Sequence, residues 1–286
     1  MAAPTDAIMT EPDSSPPTTQ SDAGIHWWVE GLITLAFYVV YSAVRNQFGS
    51  ALGGDIVDRS FENARRVIDL ERALGLYHEE WIQAVFLDID PFIVFWNVFY
   101  GTFHFGVTIF AMVFLFLRYP QRYMFMRSAL AATTMAALIG FAFFPLMPPR
   151  LLTACEPQSS YGACSPDFDY VDTLVDPGGL WSFETGTMES ISNQYAAMPS
   201  LHIAWATWCA IGLFPVLRRR WARAAIVAYP FVTLFAIIVT ANHYWIDAIG
   251  GLMALGIGLL AAGPLSRLFP GRVGGGDDHA GTLNAG

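Results

Sequence analysis

The sequence predicts an all-α fold, a polytopic bundle of membrane-spanning helices. Hydrophobic residues make up 54% of the chain and charged residues only 14%, whereas ordinary soluble domains carry roughly 25% charged residues. The apolar residues are also gathered in blocks of about 20, the length that crosses a bilayer as a helix. Backbone groups in lipid must pair within their own segment, which favours helices for these blocks.

Six apolar blocks are separated by turns and charged segments, and we predict one transmembrane helix for each. They cover residues 27–44, 91–117, 127–147, 198–217, 222–241 and 244–264. Residues 25–266 therefore form one membrane domain. The Pro-, Ser- and Thr-rich residues 1–24 and the Gly-rich residues 267–286 are predicted to be disordered tails.

Residues 55–88 carry too many charges for a span, but their apolar residues recur at helical spacing. We predict an amphipathic helix that lies in the outer membrane interface, with Gly75 at its C-terminal end. A helix packed on the bundle outside the membrane is the alternative.

The arginines indicate an orientation. They cluster in the segments 118–127 and 218–223 and at Arg267, whereas the long loop 148–197 is rich in Asp and Glu. The positive-inside rule puts the arginine clusters and both termini in the cytoplasm, and the acidic loop outside, with a bacterial cell membrane as the expected location. The sequence has no basic stripe of the kind that binds nucleic acid.

Ionisable residues inside membrane spans are costly and indicate function. The Pro-Ser-Leu-His segment at 199–202 opens an apolar block. Pro199 suits the first turn of a helix, and Ser200 and His202 would then lie beside unpaired N–H groups that attract an anion. We interpret His202 as a proton donor beside an anion site.

His243 and Asp247 lie four residues apart, at the same predicted outer level. This spacing puts them on one helix face, where the carboxylate can fix the tautomer of the imidazole and make its second nitrogen a nucleophile or base. A structural His–Asp pair is the alternative.

These motifs resemble the type-2 phosphatidic acid phosphatase superfamily, and most closely its inositolphosphotransferase and sphingolipid-synthase-like branch. The resemblance rests on residues 199–202 and 243–251, with support from 148–150 and from 97–104. It covers roughly residues 55–262.

The resemblance implies a covalent mechanism without metal or cofactor. His243 would attack phosphorus and become a phosphohistidine, Asp247 would orient it, and His202 would protonate the leaving group. The substrate would be a membrane lipid phosphate or a phospholipid. The acceptor would be water in a phosphohydrolase, or an inositol-like or lipid alcohol in a phosphotransferase.

The chain departs from the superfamily pattern at three points, and the loss of two of the usual phosphate-binding cations favours the phosphotransferase. The chain contains no Lys, Ala236 and Ile237 stand where Ser-Arg is usual, and Leu201 replaces a Gly. The phosphate is therefore assigned to Arg150 and Ser200, and Arg65 or Arg66 could add a second cation.

Tyr100 and His104 lie one helical turn apart in the second block. We predict that they bind a headgroup. The alternative is a histidine hydrogen-bonded within the bundle.

Cys155 and Cys164, both in the predicted outer loop, are expected to form a disulfide in an oxidising compartment. Two free thiols are the alternative.

Two competing hypotheses use the same histidines. One is a haem-binding electron carrier, and the other is a metal site formed by His202, His243 and Asp247.

Overall fold

The structure, a computed structural model, describes residues 54–155, 161–175 and 194–268, together with residues 28, 31, 32, 35 and 39. The predicted tail 1–24, most of the apolar block 27–44 and residues 269–286 lie outside these ranges, as does the middle of the loop 148–197.

The described part of the chain is all-helical, as the sequence predicts, and contains no strand. Its helices are α1 (Gly54–Leu74), α2 (Glu79–Phe86), α3 (Asp90–Arg118), α4 (Pro120–Phe143), α5 (Leu201–Leu213), α6 (Arg220–Val239) and α7 (Trp245–Leu268). A 3-10 turn, Pro149–Leu151, follows α4. Helix α7 continues two residues into the tail predicted from residue 267.

Four helices, α3, α4, α6 and α7, are long and apolar enough to cross a membrane. The chain is therefore an integral membrane protein. The fourth apolar block, 198–217, forms only the 13-residue α5, about 20 Å long, against a hydrocarbon core of about 30 Å. Because α5 is short and the first block is largely undescribed, the count of six spans stays a prediction.

Helix α5 ends early because Pro215 has no N–H to offer the carbonyl of Ile211. The Arg122 side chain binds the exposed carbonyls instead, with Nη2 2.6 Å from Ile211 O and Nε 2.8 Å from Gly212 O. The start of α4 and the end of α5 therefore lie at the same end of the bundle.

The segment 118–127, predicted as a loop, is helical except at Tyr119. Pro120 occupies the first turn of α4, where its missing N–H costs nothing. Arg122 and Arg127 consequently project from the first turns of α4. The arginine clusters still gather at one end of the bundle, opposite the end where α5 and α7 begin.

Helices α4 and α7 pack closely along their length. A Cβ on Gly258 would overlap Thr133 Oγ1 and lie 2.7 Å from Ala129 O, so only glycine allows this approach. Small residues at a helix contact are the usual means of bringing membrane helices together.

Helix α1 covers the end of the bundle opposite the arginine clusters. Its buried residues Ala64, Val67 and Ile68 join a core that includes Leu146 and Tyr244. The apolar face of α1 therefore packs on the bundle, and its place in the membrane interface stays a prediction. Leu74, at the C-terminal end of the helix, is exposed.

Gly75 ends α1 as predicted. It adopts a positive φ of 70°, and Leu76 N donates to Glu71 O at 2.8 Å while Gly75 N donates to Arg72 O at 3.1 Å. This is the Schellman arrangement, which satisfies the last carbonyls of a helix.

The described part of the loop 148–197 packs against α2, where Gln83 and Val171 exchange two hydrogen bonds, and against α1, whose buried residues share a core with Phe168 and Tyr170. Cys155 and Cys164 form a disulfide, and Thr153 Oγ1 donates to Tyr170 O at 2.5 Å. The loop therefore forms a wall beside the end of the bundle.

Candidate active site

A tight turn between α6 and α7 carries the second histidine motif. Ala241 adopts a positive φ of 51°, which is uncommon for a residue with a side chain. The N–H groups of Asn242 and His243 both donate to Ile237 O, at 3.0 and 3.2 Å. The turn is thus fixed to the last turns of α6 before α7 begins at Trp245.

The His243 side chain is held by Asp247 as the four-residue spacing predicts. His243 Nδ1 lies 3.2 Å from Asp247 Oδ2, and the same oxygen accepts the backbone N–H of Tyr244 at 2.9 Å. Both side chains are buried. An Nδ1–H donated to the carboxylate leaves Nε2 with a free lone pair.

His243 Nε2 faces the start of α5. It lies 3.3 Å from His202 Nδ1 and 3.4 Å from Ser200 Oγ. The backbone ties the two motifs together as well, because Ser200 N donates to Asp247 O at 2.9 Å. The structure therefore unites residues that are 41 to 47 positions apart in the chain.

Pro199 does not lie in the first turn of α5, which corrects the prediction from sequence. The helix begins at Leu201, Ser200 is its extended N-cap with ψ of 107°, and Pro199 precedes the cap. The Ser200 side chain makes no capping bond, because it faces His243 instead. The N–H groups of the first turn have no intrahelical acceptor and remain available near His202.

Tyr100 and His104 lie against His202 rather than in a separate recess. The ring centroids of Tyr100 and His202 are 4.4 Å apart and stacked, and those of His104 and His202 are 4.3 Å apart. His104 Nδ1 donates to Tyr100 O at 2.9 Å. His104 is therefore hydrogen-bonded within the bundle, as the alternative hypothesis holds. Both Tyr100 and His104 contact His202, the histidine predicted to be the proton donor.

Arg150 lies buried beside the turn, with its backbone N–H donating to Ala241 O at 2.8 Å. Its guanidinium donates to three side chains, Asp172 Oδ2 at 2.6 Å, Gln194 Oε1 at 2.7 Å and Asn242 Oδ1 at 3.1 Å. Arg65 and Arg66, the other predicted cations, lie exposed on α1. The structure does not bring them to the histidines.

Several polar residues around the site were not predicted from the sequence. Asp172, Gln194 and Asn242 hold Arg150, and they come from loops without periodicity. Glu71 and Glu79 are fully buried and accept backbone N–H groups at the start of α7. Glu71 had a detectable signal, because it continues the helical spacing of Ala64 and Ile68.

Among the described residues, no group of three or more His, Cys, Asp or Glu side chains is arranged to hold a metal ion. No curated protein and no solved structure gives a significant match to this sequence. A family model for the PAP2 superfamily does match, over residues 65–261, a span that includes α5, both histidine motifs and Arg150. The chain therefore belongs to the PAP2 superfamily, and is a membrane enzyme of phosphatase type that acts on lipid phosphates.

Proposed function

We propose that this protein is a lipid phosphotransferase that cleaves a phospholipid and passes the phosphoryl-bearing headgroup to an inositol-like or lipid alcohol. The observation that carries the proposal is the geometry around His243. One ring nitrogen is bonded to Asp247, and the other faces His202 and Ser200. This is the arrangement of a nucleophile, its orienting group and a proton donor.

In the first step, His243 Nε2 attacks phosphorus and the bond from phosphorus to the lipid oxygen breaks. His202 gives its proton to that oxygen, which leaves as an alcohol. The phosphohistidine ring is positively charged, and Asp247 balances this charge. The phosphoryl group would enter between the two rings, so His202 must turn away from its 3.3 Å contact.

In the second step, the hydroxyl of the acceptor attacks phosphorus and the nitrogen–phosphorus bond breaks. His202 takes the proton from this hydroxyl and is ready for another cycle. The N–H groups of the first turn of α5 would stabilise charge on the phosphoryl oxygens in both steps. The stacked Tyr100 and the adjacent His104 would limit where the acceptor can approach.

The charge of the site supports a phosphodiester substrate. Arg150 is buried, and Asp172 already neutralises it at 2.6 Å. The other described arginines at this end of the bundle are exposed on α1; they are Arg59, Arg65, Arg66 and Arg72. One partly neutralised cation suits the single charge of a diester better than the double charge of a phosphate monoester. A phospholipid donor, and hence transfer, is favoured.

An assay of the purified protein in detergent or vesicles tests the proposal. Phospholipids and lipid phosphate monoesters are supplied with and without inositol or a lipid alcohol, and free phosphate is measured against the transferred headgroup. Transfer from a diester that stops in His243→Ala supports the proposal. Release of free phosphate from monoesters alone would make the enzyme a phosphohydrolase with water as the acceptor.

A further inference from the structure

Two buried glutamates hold the first N–H groups of α7. Trp245 N donates to Glu79 Oε1 at 3.3 Å, and Ile246 N donates to Glu71 Oε1 at 2.8 Å. Glu79 Oε2 also accepts the N–H of His78 at 2.9 Å. The two carboxyl groups come from α1 and α2, yet they fix the backbone one to three residues from both His243 and Asp247.

The two carboxyl groups lie side by side, because they accept the N–H groups of consecutive residues. Glu71 interacts with Glu79, and both residues are 0% exposed. Among the described residues, no donor reaches the buried Glu71 Oε2. Two carboxyl groups can hydrogen-bond only when one of them carries a proton, because an ionised carboxylate is an acceptor alone.

The surroundings keep that proton on Glu71. Burial, together with the hydrogen bond and charge of Glu79, raises the pKa of Glu71 to about 9, and the Ile246 N–H opposes this rise. The charges that act on Glu71 come from Glu79 and Asp247, and both are negative. The phenol of Tyr244 interacts with both glutamates, and that of Tyr170 interacts with Glu79.

We propose that Glu71 and Glu79, with one proton shared between them, are positioning residues that hold the turn carrying His243 and Asp247 in its reactive geometry. The inference rests on the proposed function, since it concerns the same nucleophile. Neither glutamate reaches the reacting atoms.

Loss of the shared proton should disturb the turn. Glu71 and Glu79 would then both be charged, in a buried space beside the carboxylate of Asp247. Repulsion among three negative groups would move the start of α7, and His243 with it. A displacement of about 1 Å at a reacting group can cost about a hundredfold in rate.

The pH profile of Glu71→Gln tests the role of the proton. In the wild type, kcat should fall at alkaline pH with a midpoint near 9, the pKa of Glu71. A glutamine can accept the Ile246 N–H and donate to Glu79 permanently, as protonated Glu71 does. The variant should therefore keep its activity at neutral pH and lose the alkaline fall.

Glu79→Gln should behave differently. The two oxygens of Glu79 accept from His78 N and Trp245 N, whereas an amide has one oxygen. We expect kcat to drop by about tenfold to a hundredfold at every pH, with a smaller change in KM. Glu62→Gln, an exposed position on α1, the helix of Glu71, is the matched control and should retain the wild-type profile.

Infrared titration gives a second measurement that needs no activity. The wild type at neutral pH should show the C=O band of a buried protonated carboxyl group, and Glu71→Gln should lack it. If the band is the same in both, or if Glu71→Gln keeps the alkaline fall, the inference is wrong. Failure of the proposed function looks different, because the wild type would then neither release nor transfer a phosphoryl group.

Discussion

At the scale of single residues, the nitrogen that can react is set by hydrogen bonds. Asp247 accepts the hydrogen bond from Nδ1 of His243, so Nε2 is the atom that faces His202 and Ser200. The residue types of His243 and Asp247 and their four-residue spacing predict this hydrogen-bonded pair. The approach of His202 to the same nitrogen requires the tertiary structure.

Substitution of the three site residues should separate their roles. His243→Ala should abolish turnover and trap no phosphoenzyme, because the nucleophile is gone. His202→Ala should keep partial activity on an activated aryl phosphate ester, if the site accepts one, and lose it on a natural lipid. Asp247→Asn should fall between these, since the ring remains but its tautomer is no longer fixed.

Turnover with natural lipid and acid-labile phosphohistidine mapping by mass spectrometry provide the measurements. Wild-type turnover by His243→Ala would contradict the assignment. So would a phosphohistidine found at His202 or His104.

Arg150 serves both the fold and the predicted phosphate site, and two variants can separate these effects. Arg150→Ala should lose about 3 kcal/mol of transition-state stabilisation, on the order of a hundredfold in rate. It should also destabilise the protein, because Asp172, whose side chain is only 10% exposed, would be left as an uncompensated charge. Adding Asp172→Asn should restore thermal stability without restoring activity. If the double variant is fully active, Arg150 does not bind phosphate.

At the scale of helices, the start of α7 and the start of α5 must approach closely for the two histidines to meet. Gly250 and Gly251 make this possible. A Cβ on Gly250 would lie 3.3 Å from Pro199 Cβ, and one on Gly251 would overlap Ser200 O. The sequence shows the two glycines after the histidine motif, and the structure gives their packing partner.

Gly251→Ala should therefore lower kcat by displacing Ser200 and His202 from His243. The loss should reach about a hundredfold if the shift is about 1 Å. Gly256→Ala on the same helix is the control, because an added Cβ there meets nothing within 4 Å. Equal rates for the two variants, compared by initial-rate assay, would show that the contact has no role in the reaction.

The disulfide belongs to the wall beside the site. A non-reducing peptide map of the protein made by cells should contain the peptide linked through Cys155 and Cys164. Its presence would also support an oxidising outer location for the loop. Two alkylated thiols in protein prepared without reductant would show that the disulfide does not form.

At the scale of the whole molecule, the arginine clusters lie at one end of the bundle and the histidine site at the other. The positive-inside rule then predicts that the site opens outward. A Cys placed at Ser182 should react with an impermeant reagent added to intact cells, and one placed at Gln121 should not. The reverse labelling pattern would invert the orientation and put the substrate on the cytoplasmic side.

The sequence alone determined the class of the protein. The apolar blocks predicted the spans because lipid forces each segment to pair its own backbone groups. The His243–Asp247 spacing and the 199–202 segment indicated the site because they depend on local chain geometry. The predicted bounds of α5 were wrong at both ends, because Pro199 precedes the N-cap and Pro215 ends the helix early.

Only the tertiary structure decided which distant polar groups meet. The partners of Arg150 come from two distant parts of one loop and from a turn, and Glu71 reaches the start of α7 across 175 residues of chain. Such contacts have no periodicity and no fixed spacing. They arise because a buried polar group must find a partner, and packing of the whole bundle determines which one is within reach.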